Sequence, residues 1–94
     1  MYIIQLQYQK PLEEVDVYLR DHVKWLKQQF ECGHFIAAGR QDPVTGGVLF
    51  AKNMPLAELE EILKLDPFQA VAQYDITKLD VGLTHADFEN LKGI

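Results

Sequence analysis

Cysteine is nearly missing from this chain: Cys32 is the single one among 94 residues. One thiol cannot close an internal disulfide, so packing has to carry stability, and the usage fits a reducing compartment. Positive charge is also scarce. Nine Lys and Arg stand against 14 Asp and Glu, giving a net charge of -5 and a pI near 5.0. The cations are scattered rather than clustered, which excludes the basic patch that nucleic-acid binding requires. No apolar run approaches the roughly 20 residues of a membrane-spanning helix. The opening Met1-Tyr2-Ile3-Ile4-Gln5 lacks the basic start and small-residue cleavage site of a secretory signal. Repeats, linkers and low-complexity segments are absent as well. The expectation is a single domain over residues 1–94, cytoplasmic, with neither nucleic acid nor membrane as a partner.

What the chain does have is apolar residues, 48% of the total, arranged with clear periods. Tyr2, Ile4, Leu6 and Tyr8 alternate with Ile3, Gln5 and Gln7, the pattern of a half-buried strand. Pro11 marks the entry to a helix that ends near Cys32, with Gly33 as its stop. At 100° per residue, Leu12, Val15, Leu19, Val23, Leu26 and Phe30 form one apolar stripe, the expected buried face. Short strands follow at 34–40 and 47–52, joined through the turn formers of Gln41 to Gly47 into an antiparallel hairpin. Asn53 or Met54 is expected to cap a second helix over 55–64, with Pro55 in its first turn and Leu56, Leu59 and Leu63 buried. A last strand is expected over 73–81. The tail 82–94 carries Thr84-His85-Ala86-Asp87, a start signal for a short C-terminal helix.

The order β-α-β-β-α-β, with right-handed crossovers, predicts an α+β fold of the ferredoxin-like type, a four-stranded antiparallel sheet with both helices on one face. Its other face stays uncovered. Ile3, Phe35 and Ala37, expected there, are too apolar for water, whereas Gln5 and Gln7 are polar. Such a surface suits a homodimer interface, with the tail reaching across to the partner.

Two residues stand out chemically. His22 lies at the edge of the long helix's stripe, in line with Tyr18, Trp25 and Gln29. That seam of aromatic bodies with polar tips has the composition of a small-ligand pocket wall. Asp66 opens Asp66-Pro67-Phe68-Gln69 where the second helical pattern stops. A histidine oriented by a carboxylate is the minimum equipment for moving a proton near neutral pH. Each has a plainer reading: His22 as a structural hydrogen-bonder, Asp66 as the cap of a short turn. Metal binding is not expected, because Cys32-Gly33-His34 has no second ligand pair at zinc-like spacing. Gly46-Gly47 reads as a hairpin loop, Cys32 as a small packed residue and His85 as exposed.

His22-Val23-Lys24-Trp25-Leu26, Gly33-His34-Phe35 with Gly39, Pro43 with Gly46-Gly47, and Asp66-Pro67-Phe68 followed by Tyr74-Asp75-Ile76 together resemble the YciI-like (YCII-related) family over roughly residues 1–81. The resemblance implies a ferredoxin-like domain that pairs through its sheets into a dimeric α/β barrel. It also implies a cleft site formed by His22 and Asp66. Relatives in the same broader grouping include muconolactone isomerases and a chloromuconolactone dehalogenase, which perform acid–base chemistry on small carboxylated lactones. Two departures are notable: Leu19 stands where many members place an arginine, with Arg20 on the polar face, and the segment from Asp66 to Tyr74 is shorter than usual.

Two functional readings stay open. In one, the chain is a cofactor-independent enzyme with His22 and Asp66 catalytic, Tyr18, Trp25 and Phe68 lining the substrate pocket, and isomerase, lyase or hydrolase chemistry on a small molecule. In the other, it is a non-catalytic small-molecule binding or accessory domain. The discriminating feature is whether the imidazole reaches Asp66 in an open cleft.

Overall fold

The computed structural model describes all residues, 1–94. Strand β1 (Tyr2–Tyr8) buries Tyr2, Ile4 and Leu6 on one face, as its alternation requires. Helix α1 (Leu12–Glu31) follows Pro11 and stops at Gly33, whose φ of 78° is the left-handed turn that glycine adopts without strain. Strands β2 (Phe35–Arg40) and β3 (Gly46–Ala51) form the hairpin, helix α2 (Leu56–Lys64) crosses back, and strand β4 (Ala72–Lys78) completes the sheet. A tight helical turn, Pro67–Ala70, separates α2 from β4, and another, Ala86–Leu91, lies in the tail.

The sheet order is β2-β3-β1-β4, with every neighbouring pair antiparallel. Each helix therefore carries the chain over one strand to the next but one. This is the split β-α-β arrangement compatible with the ferredoxin-like expectation. One apolar core joins Ile4, Leu6, Leu49 and Ala51 of the sheet to Val15 and Trp25 of α1 and to Leu59 and Leu63 of α2, so both helices cover the same face. No helix is long and apolar enough to cross a membrane.

Several expectations need correction. The face that α1 buries is Val15, His22, Trp25 and Gln29; Leu12, Val23 and Phe30 of the expected stripe are 47%, 37% and 40% exposed. The helix is rotated so that the aromatic and polar seam meets the core, while Leu19, Val23 and Leu26 overhang a gap. Phe35 is not on the uncovered face. It is 4% exposed and packs edge-on against Trp25, with centroids 5.3 Å apart. A register shift between Phe35 and Ala37 explains this: Phe35 pairs with core-facing Ala51 and Ala37 with outward Phe50, so two residues that alternation would place together point apart.

In α2, Pro55 occupies the capping position without a side-chain cap. Leu56 is 48% exposed, and Ile62 takes its place beside Leu59 and Leu63. Strand β4 ends at Lys78, after which Leu79 and Met1 exchange hydrogen bonds and the Met1 amino group also donates to the Ile94 carbonyl. The tail's turn is capped by His85, which accepts from the Asp87 N–H, rather than by Thr84.

At the mouth of the hairpin, β3 presses against β1 so closely that a Cβ on Gly46 would lie 1.8 Å from the Leu6 carbonyl oxygen. Gly39 faces open space. Gly46→Ala is expected to lower the melting temperature by roughly 10 °C or more through forced backbone displacement. Gly39→Ala should leave it nearly unchanged, and thermal denaturation of the two variants checks the difference.

Candidate active site

His22 reaches the site because Val15, two turns before it, and Trp25, one turn after it, anchor the rotation of α1 in the core. Asp66 arrives from the other direction. Pro67 restricts the residue before it to extended backbone, and Asp66 adopts φ -71° and ψ 123° at the head of the Pro67–Ala70 turn. Its Oδ1 accepts the Phe68 backbone N–H at 2.9 Å, the ordinary work of a capping aspartate. The same Oδ1 lies 2.6 Å from Nδ1 of His22. Its Oδ2 accepts the hydroxyl of Tyr74, from β4, at 2.5 Å. One aspartate therefore does both jobs that the sequence left as alternatives. Gln69 does not close a reciprocal capping box; its Nε2 donates to the Leu63 carbonyl and ties the turn to the end of α2.

Asp66 is 2% exposed. A carboxylate taken out of water is tolerated where its oxygens are hydrogen-bonded, and three donors converge here. Acting as acceptor throughout, the carboxylate assigns the proton to Nδ1 of His22, which leaves Nε2 as the basic nitrogen. No protein group bonds Nε2. The imidazole is fixed in plane as well as in tautomer, because the Phe68 ring stacks on it at 3.7 Å with 3° between planes. Trp25 sits on its helix neighbour side at 5.8 Å. Tyr74 remains a donor because burial, reinforced by its bond to Asp66, pushes its hydroxyl well above the ordinary tyrosine range.

His22 opens onto a cleft of about 190 Å³ between α1 and the β2–β3 side of the sheet. Leu19, Val23 and Leu26 form its roof, and Leu6, Leu49 and Ala38 its floor. Phe68 closes one end, and Tyr8 and Arg40 contribute the polar groups. Of the residues expected to line the pocket, Phe68 does so and Tyr18 and Trp25 do not. Trp25 is 4% exposed within the core and lies against the ring of His22, and Tyr18 packs against that core. Leu19 lines the cleft with an apolar side chain, and Arg20 points outward among Lys24 and Lys27. Cys32 is exposed rather than packed, and Nδ1 of His34 lies 2.7 Å from Oε1 of Gln29.

Tyr74, Tyr8 and Arg40 were missed as site residues. Tyr74 lies in the Tyr74-Asp75-Ile76 segment that carries the family resemblance, and alternation in β1 puts Tyr8 on the same face as Leu6. Arg40 has no sequence signal of its own.

A model of the YCII-related domain family matches residues 1–80. Among solved structures, the chain is similar to 5-chloro-2-hydroxyhydroquinone dehydrochlorinase (TftG) from Burkholderia phenoliruptrix AC1100 in complex with 2,5-dihydroxybenzoquinone. The TM-score is 0.69 at 17% sequence identity, over 87% of this chain and 96% of that one. At this identity the likeness is one of fold. No curated protein matches the chain.

The Tyr74 hydroxyl yields a prediction about alkaline stability. Its folded pKa is raised above the unfolded value near 10. The unfolded chain therefore releases this proton first as pH rises, and the stability contributed below pH 10 is progressively lost above it. Urea midpoints measured at increasing alkaline pH should fall, with Tyr8, also raised by burial, acting in the same direction. Tyr74→Phe should flatten that fall while destabilising the protein at neutral pH by about 1–2 kcal/mol, through loss of one bond to a buried carboxylate.

Proposed function

The chain belongs to the YCII-related domain family, and on that premise we propose that it is a cofactor-independent enzyme performing acid–base chemistry on a small cyclic substrate. The observation that carries this reading is the Nδ1–Asp66 contact of 2.6 Å beside a cleft, with Nε2 left unbonded. In the proposed reaction, Nε2 of neutral His22 removes a proton from carbon or oxygen of the substrate. The resulting imidazolium is held by the buried Asp66 carboxylate. Returning the proton at another atom completes an isomerisation. In an elimination, the electron pair of the broken C–H bond forms a double bond as the leaving group departs with its own pair. Phe68 keeps the imidazole edge aimed into the cleft.

The cleft volume sets the size of the substrate. An apolar cavity of roughly 150 Å³ holds a benzene ring, so about 190 Å³ accommodates one ring with a few substituents. The dehydrochlorinase of similar fold, seen with a dihydroxybenzoquinone, makes elimination on a hydroxylated ring the first chemistry to try here. A second reading, a binding domain without turnover, is favoured by Leu19, which leaves the helix wall without the arginine that the family resemblance implies.

His22→Asn is the informative variant, because its amide nitrogen can occupy the Nδ1 position and keep the bond to Asp66 while Nε2 is deleted. In deuterated water, a panel of hydroxyquinols, chlorinated quinols and unsaturated lactones should show protein-dependent deuterium incorporation or chloride release. His22→Asn should slow it on the order of 10²–10⁴-fold, the usual contribution of a general base. The melting temperature should move little. Equal rates in the two proteins would remove His22 from the chemistry, and binding without turnover would favour the second reading.

We further propose that the protein is a homodimer paired through the uncovered sheet face. Ile3, Val48, Phe50 and Ala37 cluster there by register, and Leu83 and Phe88 of the tail are 93% and 59% exposed. Light scattering should give about twice the 10.8 kDa of one chain, and Phe50→Glu should halve it by placing charge in the interface. A wild-type monomer at micromolar concentration would exclude this assembly.

A further inference from the structure

The cleft has a polar end that the proton-transfer reading does not use. Arg40, the last residue of β2, lines it on the sheet side. The guanidinium is unengaged: the four ion pairs of the chain lie elsewhere, and no side-chain hydrogen bond involves Arg40. Asp16 lines an adjoining hollow together with Arg40 and Tyr8, yet forms no ion pair with the guanidinium. The Tyr8 hydroxyl is likewise without a protein partner, and its ring meets Phe68 edge-on at 5.8 Å. Arg40, Tyr8, Phe68 and His22 thus follow one another along a single cleft, whose remaining walls are mostly aliphatic.

An unpaired guanidinium beside a free phenol, at one end of an apolar slot, is equipment for a planar anion. The guanidinium fork matches the two oxygens of a carboxylate, and the phenol adds a third donor. Burial raises the Tyr8 pKa, the Arg40 charge lowers it in part and the Asp16 carboxylate raises it further, so the phenol is a donor and the guanidinium is the one cationic group set against Asp16 at this end. The whole chain carries a net charge of -5, so its overall field does not attract anions and local recognition has to come from the cleft itself.

We propose that Arg40, with the Tyr8 hydroxyl, is the anion-recognition end of the cleft, and that the substrate is a small cyclic carboxylate whose ring lies against Phe68 and reaches His22. This deepens the acid–base reading and rests on it for the word substrate, but binding is separable from turnover. In the bound arrangement the carboxylate is held at the sheet wall, and the ring atom that loses its proton is presented to Nε2 on the helix wall.

The test uses benzoate and its neutral isostere benzamide, neither of which reacts by proton transfer, with affinities read by ligand-observed NMR or calorimetry on the full chain. The wild-type protein should prefer benzoate by roughly tenfold or more, the scale of one charge-assisted bidentate contact. Arg40→Met, which keeps the aliphatic stem at an exposed strand end, should abolish the preference by weakening benzoate alone. Arg40→Lys should restore part of it, and Tyr8→Phe should reduce it. Melting curves confirm that the variants are folded. A wild-type protein that does not prefer benzoate, or an Arg40→Met protein that keeps the preference, overturns the proposal. Loss of turnover in the earlier experiment with the benzoate preference intact would instead leave an anion site in a non-catalytic domain.

Discussion

The buried carboxylate of Asp66 is the constraint on which the rest of the structure depends. It sits where α1, the end of α2, the Pro67–Ala70 turn and β4 meet, and each of three of these elements supplies a donor to it. Removing any donor would leave a desolvated oxygen underpaired, which costs far more than a surface hydrogen bond contributes. The network ties α1, the turn and β4 to one another. It fixes the azimuth of α1, the approach of β4 and the conformation of the turn at once, and the geometry of the His22–Asp66 pair follows from hydrogen-bonding one carboxylate.

The cleft follows from a mismatch of side-chain size between the two layers. Layers of secondary structure fill the space between them only when opposing side chains interdigitate. Under the Leu19, Val23 and Leu26 edge of α1, the β2–β3 hairpin offers Ala38 and Gly47. Those residues are too small to meet the helix, so the layers stay apart and the apolar roof remains partly accessible. On the other side of the same helix, Trp25 and Phe35 fill the gap fully. The core is thus tight where the His22–Asp66 pair is held and open above the β2–β3 hairpin.

Most of the fold was legible because it rests on period alone. Alternation marked β1, the Pro11-to-Gly33 interval bounded α1, and the order of elements left one antiparallel topology that obeys crossover handedness. The inaccuracies share a cause, which is that a face has no absolute direction in sequence. The apolar stripe of α1 looked like the buried one, yet a histidine and a glutamine displaced Leu12 and Phe30 because tertiary partners awaited them. The register shift after Phe35 carries no local signal and reverses the facing of a strand. His22 and Asp66 were legible because each sits in a distinctive short motif. Tyr74, Tyr8 and Arg40 were not, since an ordinary tyrosine on a strand acquires its role only from the carboxylate or guanidinium that the fold brings beside it.

The contact between His22 and Asp66, 44 residues apart, depends on helix phase. A slip of α1 by one residue turns each side chain through about 100°. It would carry Asp21 or Val23 toward the capping aspartate, offering either a second carboxylate or an apolar branch in place of a donor. Neither satisfies Asp66, so the phase that packs Val15 and Trp25 in the core is also the one that gives the buried carboxylate its Nδ1 donor. Core packing and the hydrogen bonding of Asp66 therefore select the same helix phase. The Phe68 stack adds a further restriction: the residue whose N–H is capped by Asp66 is also the one whose ring holds the imidazole plane. A turn of four residues thereby sets the position, tautomer and orientation of the histidine, and long-range motion is not needed to assemble the pair.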